Sequence, residues 1–203
     1  MKSSHFKIFD EVTLGFNIEK EMEANQWTTR LLEVLADKVE HRELKKGDVL
    51  LDLGEVCDYV GFLKEGSMRM YYINEEGQDI SFFFYLSGDV FTNYEGVVSY
   101  TPSNMVLECL TPCQVTLIKR DDLLALYNSS MEWQKVGRLM SDAIFLNAKK
   151  RIDFLLFLNP EQRYLDLLHH HPQILNSIPQ KYIATYIGVK PQSLSRIRKR
   201  LIS

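Results

Sequence analysis

The last two dozen residues carry the side chains whose types and spacing predict chemistry most clearly. From Gln180 onward, in the stretch QKYIATYIGVKPQSLSRIRKRL, polar and basic side chains alternate with regularly spaced apolar ones, and no Asp or Glu follows Asp166. Amide and guanidinium groups hydrogen-bond to base edges, and basic side chains neutralise phosphates. The predicted DNA contacts are Lys181, Lys190, Gln192, Ser193, Ser195, Arg196, Arg198, Lys199 and Arg200.

These contacts divide by chemistry. Gln192, Ser193 and Arg196 fall in the first half of the second predicted helix, where side chains reach base edges. Arg196 suits guanine and Gln192 suits adenine, because each can form two hydrogen bonds to that base. The later basic residues, with Lys181 and Lys190 near the two helix starts, are expected to contact phosphates.

The apolar residues of the same stretch predict two helices joined by a tight turn. Ala184 is small enough for the helices to cross closely, and Gly188 can adopt a positive φ in the turn. Pro179 and Pro191 suit the first turns of the two helices. This pattern predicts a helix-turn-helix whose second helix enters a major groove. The alternative, two ordinary packed helices, leaves the acid-free outward face unexplained. The predicted wedge between the helices is Ile183, Ile187, Val189, Leu194 and Ile197.

Charge is distributed unevenly along the chain. Residues 135–203 carry 12 Lys and Arg against 4 Asp and Glu, whereas residues 1–134 carry 12 against 23. A basic third joined to an acidic body suggests two roles, because basic segments attract nucleic acid and acidic ones repel it. A chance solvated face is the alternative, and charge alone does not decide between them.

The elements that must position the C-terminal residues begin with a glycine-punctuated region. Seven of the ten glycines lie between Gly47 and Gly96, and they separate short apolar or alternating runs. Such spacing predicts short strands in a sandwich or roll, with a hairpin turn at Glu75–Gln78. The predicted strands lie in DVLLDL, YVGFL, SMRMYYI, QDISFFFYL, DVFTNY, VLECL and QVTLIK.

Helices are predicted on both sides of this roll. Residues 17–44 read as one helix, Asp121–Tyr127 as a second, and Ser130–Leu158 as a long third of roughly 43 Å. So long a helix is expected to pack against a second copy of the chain, although packing across its own roll is the alternative. The predicted dimer contacts on this helix are Trp133, Val136, Met140, Ala143, Ile144 and Phe154. A short helix is predicted over Glu161–His170, followed by a turn through HHHPQILNSIP.

Composition excludes several classes of protein. The chain has 203 residues, 45% hydrophobic and 25% charged, which is typical of a globular protein rather than a disordered or collagen-like one. It contains no run of about 18 apolar residues and no apolar signal segment, so we expect no membrane association and a cytoplasmic location. Three cysteines suggest reduced thiols, with a redox pair of Cys109 and Cys113 as the alternative. Three adjacent histidines, His169–His171, fit a helix end better than a metal site.

Two motifs resemble the Crp/Fnr family of bacterial transcription regulators, and the resemblance covers nearly the whole chain. They are KKGDVLLDLGEVCDYVGFLKEGSMRMYY in the roll and IATYIGVKPQSLSRIRKRL at the end, the second most similar to a branch found in Bacteroidetes. The resemblance implies a homodimer formed through the long helix, an effector pocket in the roll, and binding to a two-fold site on double-stranded DNA. It also implies a winged-helix-like DNA-binding domain, here with a truncated wing.

The sequence departs from the family members that bind cyclic AMP. Where those have a Gly-Glu pair and an Arg followed by Ser or Thr, this chain has Thr92-Asn93 and Pro102-Ser103. No Lys, Arg or His occurs between Arg69 and Lys119, so a bound phosphate would lack a cation. We therefore expect no cyclic nucleotide, and neither an iron–sulfur cluster nor haem. An effector pocket, with plain core packing as the alternative, would be lined by Phe82, Phe84, Thr92, Asn93, Tyr94, Ser103 and Asn104.

The sequence thus predicts an α+β chain of three parts. Residues 1–128 form N-terminal helices and a jelly-roll-like, cyclic-nucleotide-binding-like β-roll, residues 129–158 the dimerisation helix, and residues 159–203 the DNA-binding domain. The predicted function is a sequence-specific transcription regulator, with RNA polymerase as a further partner if it is an activator. The alternative is a ligand-binding signalling module that acts on a protein partner. No catalytic motif is present, so we expect no enzyme.

Overall fold

The computed structural model describes residues 30–202, in which two four-stranded antiparallel sheets precede a series of helices. One sheet has the strand order β1-β8-β3-β6 and the other β2-β7-β4-β5. This is the double-sheeted roll that the glycine spacing predicts. The strands are β1 (Val39–Leu44), β2 (Val49–Leu51), β3 (Tyr59–Glu65), β4 (Ser67–Ile73), β5 (Asp79–Leu86), β6 (Val90–Phe91), β7 (Met105–Cys109) and β8 (Cys113–Lys119).

The roll closes around an apolar core that includes Leu63, Met70 and Leu107. Gly61 lets the ring of Phe91 lie directly against the backbone of β3, because a Cβ at position 61 would be 2.1 Å from that ring. The predicted hairpin turn between β4 and β5 is confirmed. Asn74 Oδ1 fixes this turn by accepting hydrogen bonds from the backbone N–H groups two and four residues later.

The N-terminal helix prediction is wrong from residue 39 onward, and residues 17–29 of it lie outside the described residues. Residues 30–34 are helical, Ala36–Lys38 form a 3₁₀ turn, and β1 then pairs with β8. The four central side chains of β1 are exposed and mostly charged. Such a strand is typical of a sheet edge, where charges hinder pairing with other chains. It was not predicted, because it has too few apolar residues to show the alternation of a strand.

Besides the helical residues 30–34, seven α-helices follow β6 in the part of the chain that the structure describes. The longest, α3, has 27 residues and spans about 40 Å. Ser130 caps its start by accepting a hydrogen bond from the backbone N–H of Trp133. The helices are α1 (Tyr94–Ser99), α2 (Arg120–Tyr127), α3 (Met131–Phe157), α4 (Pro160–His170), α5 (Pro172–Ser177), α6 (Gln180–Tyr186) and α7 (Pro191–Ile202).

The segment between α4 and α6 differs from the prediction of a simple turn, because it contains the short helix α5. Pro172 is its first residue, where a missing N–H costs no hydrogen bond. Helix α4 begins at the reciprocal pair of hydrogen bonds between Asn159 and Gln162, which form a capping box.

Helix α3 lies with one face against its own chain. Trp133 and Val136 are buried with Ile118 and Leu123 of the roll and α2. Phe154 is buried among the C-terminal helices. This corrects the prediction that these three contact a second copy: spacing identified an apolar face of the helix, and that face covers the chain's own core. No helix in residues 30–202 is long and apolar enough to cross a membrane.

Candidate nucleic-acid interface

Helices α6 and α7 cross at the predicted apolar wedge. Ile183, Ala184, Ile187, Leu194 and Ile197 are all buried in one cluster, against which Val189 is partly buried. Ala184 is fully buried, consistent with a small residue at the crossing of the two helices. The predicted pair of helices is therefore present, with residues 187–190 as the turn between them.

The turn depends on Gly188 and on an arginine that the sequence did not single out. Gly188 has φ +74°, as predicted, and a Cβ there would lie 2.9 Å from Nη1 of Arg163. That nitrogen donates a hydrogen bond of 2.8 Å to the carbonyl of Ile187. The other nitrogens of Arg163 donate to carbonyls at the end of α3, among them that of Leu155 at 2.6 Å. Arg163 thus joins the long helix to the turn.

The outward side of α7 is polar and open. Gln192, Ser195, Arg196 and Lys199 are exposed. They share one face of the helix, because their spacings are of three and four residues. Ser193 and Arg198 are half-buried beside this face, which makes them poorer candidates for DNA contact. Lys181 and Lys190 are exposed near the starts of the two helices.

Arg200 pairs with an acidic residue that is remote in sequence. Its Nη2 lies 2.8 Å from a carboxylate oxygen of Glu161 at the start of α4, and both side chains are largely exposed. An exposed ion pair contributes little free energy, typically about 0–1 kcal/mol. A phosphate can therefore compete for Arg200. The sequence predicts an outward face without acidic residues, but in the structure the carboxylate of Glu161 lies beside it.

Helix α6 packs against strand β5 of the roll through a threonine and a serine. Thr185 Oγ1 donates to Ser81 Oγ at 3.0 Å and accepts from the backbone N–H of Ser81 at 3.2 Å. Ser81 is fully buried by this contact. This contact could not be predicted, because a threonine and a serine that lie 104 residues apart form no pattern along the chain.

A stacked arginine extends the contact between α6 and the roll. The guanidinium of Arg69 lies 3.7 Å from the ring centroid of Tyr182 on α6 and 4.0 Å from that of Tyr71 on β4. Arg69 is also paired with Glu108 at 2.8 Å and Asp79 at 2.5 Å. Although Arg69 is buried, its charge is balanced by these two carboxylates, and its position depends on both neighbouring strands.

Arg151 of α3 is the third link between the roll and α6. Its Nη2 donates to the carbonyl of Tyr186 at 2.7 Å and to that of Ser81 at 3.3 Å. Its guanidinium lies 3.8 Å from the ring centroid of Tyr186. Burial lowers the pKa of Arg151 and raises that of Tyr186. The two C-terminal helices are therefore held on the roll with the outward face of α7 uncovered.

A cavity of about 870 Å³ lies between the roll, α3 and the helices that follow it. Five of the predicted effector-pocket residues line it, namely Phe82, Phe84, Thr92, Asn93 and Tyr94. The other two do not: Asn104 is exposed, and Ser103 is buried in a network with Asn93. Asn93 and Ser103 are joined by this hydrogen bond and Asn93 also caps α1, while the assignment of Ser103 and Asn104 to an effector pocket stays a prediction.

The two faces of α3 have different roles. Met140, Ala143 and Ile144, which were predicted as dimer contacts, line the cavity of their own chain, and their contact with a second copy stays a prediction. The opposite face is apolar too: Phe145, Ile152 and Leu156 are 69%, 53% and 71% exposed. Their spacing of seven and four residues puts them on one stripe. Periodicity alone did not distinguish the two faces, because both are apolar.

The cysteines and histidines form no evident metal site in the described part of the chain. Cys57, Cys109 and Cys113 are buried free thiols of the roll. No group of three or more His, Cys, Asp or Glu side chains in residues 30–202 could hold a metal ion. His170 contacts Asp166 at 3.1 Å, while His171 is largely buried, which lowers its pKa.

Comparison with known proteins identifies the roll and the fold. Residues 41–130 match the family model of the cyclic nucleotide-binding domain. No curated protein sequence matches the chain. Among solved structures, FixK2 from Bradyrhizobium japonicum has 19% identity and a TM-score of 0.69, with 80% of this chain and 84% of that one covered.

Two further solved structures have the same fold. The c-di-GMP-responsive global regulator CLP from Xanthomonas campestris has 16% identity and a TM-score of 0.63, with 84% of this chain and 89% of that one covered. A CooA mutant from Carboxydothermus hydrogenoformans has 14% identity and a TM-score of 0.62, with coverages of 84% and 83%. These neighbours are Crp/Fnr-family regulators, and the shared fold is the predicted α+β one.

Proposed function

We propose that this chain is a sequence-specific DNA-binding transcription regulator of the Crp/Fnr type. The observation that carries the proposal is the outward face of α7, where Gln192, Ser195, Arg196 and Lys199 are exposed above a buried apolar wedge. The cyclic-nucleotide-binding-domain match of the roll and the fold of the neighbours support it. A regulator of this kind acts on chromosomal DNA in the cytoplasm and has no catalytic task.

In this proposal Gln192 and Arg196 read bases, while Lys199 and Arg200 bind phosphates. Base readers belong near the start of a recognition helix, which enters the major groove first. Arg200 lies near the end of α7 and exchanges its ion pair with Glu161 for a phosphate. Lys181 and Lys190 are further phosphate contacts at the edges of the interface.

The proposed assembly is a homodimer formed through α3. The exposed stripe of Phe145, Ile152 and Leu156 supports it, because monomeric proteins rarely expose a continuous apolar stripe. Two copies present two recognition helices that read half-sites about 34 Å apart on a two-fold operator. If the regulator is an activator, RNA polymerase is its further partner.

The proposed effector is not a cyclic nucleotide, despite the family match of the roll. Asn93 and Ser103 hold one another at 2.7 Å, so these polar groups are already engaged within the chain. No Lys, Arg or His of the sequence lies between Arg69 and Lys119. Calorimetric titration of the purified protein with cyclic AMP and cyclic GMP is expected to give no micromolar affinity, and such an affinity would refute this part of the proposal.

A gel shift with genomic fragments tests the proposed function against the signalling-module alternative. We expect a few fragments to be retained, with an affinity that falls steeply as salt rises, because each neutralised phosphate releases counterions. The matched variant is Arg196→Ala, with Lys46→Ala, an exposed lysine before β2, as the control for net charge. Equal retention of all fragments, or of none, contradicts the proposal.

A further inference from the structure

Arg151, in the second half of α3, is a buried cation without an acidic partner among the described residues. Only 5% of the surface of this residue is exposed to solvent. A guanidinium carries five N–H donors, and those of Nη2 are taken by the carbonyls of Ser81 and Tyr186. Nε and Nη1 have no hydrogen-bond partner within residues 30–202. Buried charges are nearly always paired, so this group calls for a partner.

The same residue lines the cavity of about 870 Å³, whose volume is in the range of small-molecule sites. Most of the wall is apolar and aromatic, including Phe82 and Phe84 of β5 and Met140 of α3. His171 also lines it, and its Nε2 is a second buried atom without a hydrogen-bond partner in the described part of the chain. The cavity thus combines an aromatic wall with buried nitrogens of Arg151 and His171 that have no hydrogen-bond partner among the described residues.

The acidic side chains of the cavity do not balance Arg151. Glu95, in the first turn of α1, is exposed to solvent. The other three acidic side chains already have partners. The groups of the cavity that lack hydrogen-bond partners are therefore the N–H donors of Arg151, and a negatively charged acceptor would satisfy them. The engaged pairs are Asp166 with His170, Asp153 with Lys149, and Asp89 with the backbone N–H of Leu86.

We propose that this cavity binds an organic anion with an apolar body, whose anionic group lies against Arg151 and whose body lies against the aromatic side chains of β5. The inference rests on the proposed function, since it gives the effector of the regulator a chemical class. Nε and Nη1 are shielded from solvent by neighbouring side chains, so the anion reaches them after a rotation of the long Arg151 side chain.

The position of Arg151 gives the anion a route to the DNA-binding helices. Arg151 holds the carbonyl of Tyr186, the last residue of α6, and that of Ser81 in the roll. A ligand that draws the guanidinium toward the cavity changes both contacts. It therefore acts on the interface that orients α6 and, through the turn at Gly188, α7.

Isothermal titration calorimetry on the full chain tests the site with three probes. Decanoate has both the charge and the apolar body, decan-1-ol has the body alone, and acetate has the charge alone. We expect decanoate to bind about ten-fold or more tightly than decan-1-ol. Both ligands gain affinity from burial of the alkyl group, but only decanoate adds a charged hydrogen bond. Acetate is expected not to bind. Equal affinities for decanoate and decan-1-ol, or no binding of either, overturn the proposal.

Variants then assign the charge to Arg151. Arg151→Gln is expected to reduce the affinity for decanoate to that for decan-1-ol, whereas Lys135→Gln, which removes an exposed charge of α3 outside the cavity, leaves it unchanged. If Arg151→Gln does not fold, Ala143→Phe decides: it fills the cavity without changing charge and is expected to weaken both ligands about ten-fold or more. Unchanged affinity in the folded variants overturns the site.

Two controls separate this inference from the proposed function. Cyclic AMP is an anion with a polar body, and tighter binding of cyclic AMP than of decanoate overturns the apolar part of the proposal. DNA binding measured both without any probe and with saturating decanoate tests the proposed function alone. If DNA binding fails while decanoate binding still depends on Arg151, the anion site stands and only its role as a regulator's effector site falls.

Discussion

Arg196 is the exposed guanidinium closest to the start of α7, and its length and planarity suit two hydrogen bonds to a guanine. Arg196→Ala is expected to cost about 1–3 kcal/mol of binding free energy on the operator and to relax specificity at one base pair. Fluorescence anisotropy with operator and random duplexes measures both effects. Lys199→Ala is the matched comparison and is expected to weaken all sequences alike. Equal losses on operator and random DNA for both variants would contradict the assignment.

Gly188 combines a left-handed backbone with a close neighbour. Gly188→Ala is expected to lower the free energy of unfolding in urea by about 1–3 kcal/mol, because φ is +74° and the new Cβ meets Arg163. Gly47→Ala is the control, since Gly47 has φ +86° with nothing within 4 Å of a Cβ. A loss no greater than that of the control would show that the Arg163 contact does not matter.

Single residues could be predicted from the sequence where they belong to a local pattern. The wedge and Gly188 follow from spacing within one short segment, and the structure contains both. Arg163, Arg69 and Arg151 could not be found this way. Their partners are carbonyls, rings and carboxylates brought together from distant segments, and no spacing along the chain encodes them. The search of the sequence for pocket cations covered only the roll, and it therefore did not consider Arg151 of α3, which lines the cavity from a distant segment.

The contact between α6 and β5 is the element-scale feature that fixes the C-terminal helices. Thr185→Val is expected to lower the free energy of unfolding by about 1–3 kcal/mol, since it leaves the buried backbone N–H of Ser81 without its acceptor. Thermal and urea unfolding measure the loss. Thr185→Ser keeps the hydroxyl and is expected to lose much less. Equal losses in the two variants would assign the effect to the methyl group rather than to the hydrogen bonds.

The outer face of α3 makes a separate prediction about assembly. Leu156→Lys is expected to convert the proposed dimer to a monomer in sedimentation equilibrium, because it buries a charge within the apolar stripe. Leu124→Lys, an exposed leucine on α2, is the control and is expected to leave the dimer intact. A Leu156→Lys chain that remains dimeric would show that the stripe is not the interface.

Elements were predictable where glycine spacing or helical periodicity was strong, as in the strands from β2 to β8 and in helices α2, α3 and α4. The failures share a cause, which is that tertiary contacts decided the outcome. Strand β1 exists because β8 offers a partner, and α5 exists because Pro172 begins a helix in a segment too short to show a period. Spacing alone could not distinguish the inner face of α3 from the outer one, because both faces are apolar.

At the scale of the whole molecule, the acidic roll and the basic C-terminal helices are joined by buried contacts rather than by a loose linker. Thr185, Arg69 and Arg151 tie α6 to the roll at three points, while the outward face of α7 stays uncovered. The cavity is therefore linked by direct contacts of Arg151 to helix α6, which packs against α7. The sequence predicted the two parts and their charges, but not how closely they are joined.

The central claim is that two copies of α7 read duplex DNA on a two-fold site. The most direct test is selection of bound sequences from a pool of random duplexes with the purified full chain. We predict an enriched inverted repeat whose half-sites are about one helical turn apart, and its loss in the Arg196→Ala chain. A pool that stays random, or that enriches a single half-site bound by a monomer, would contradict the claim.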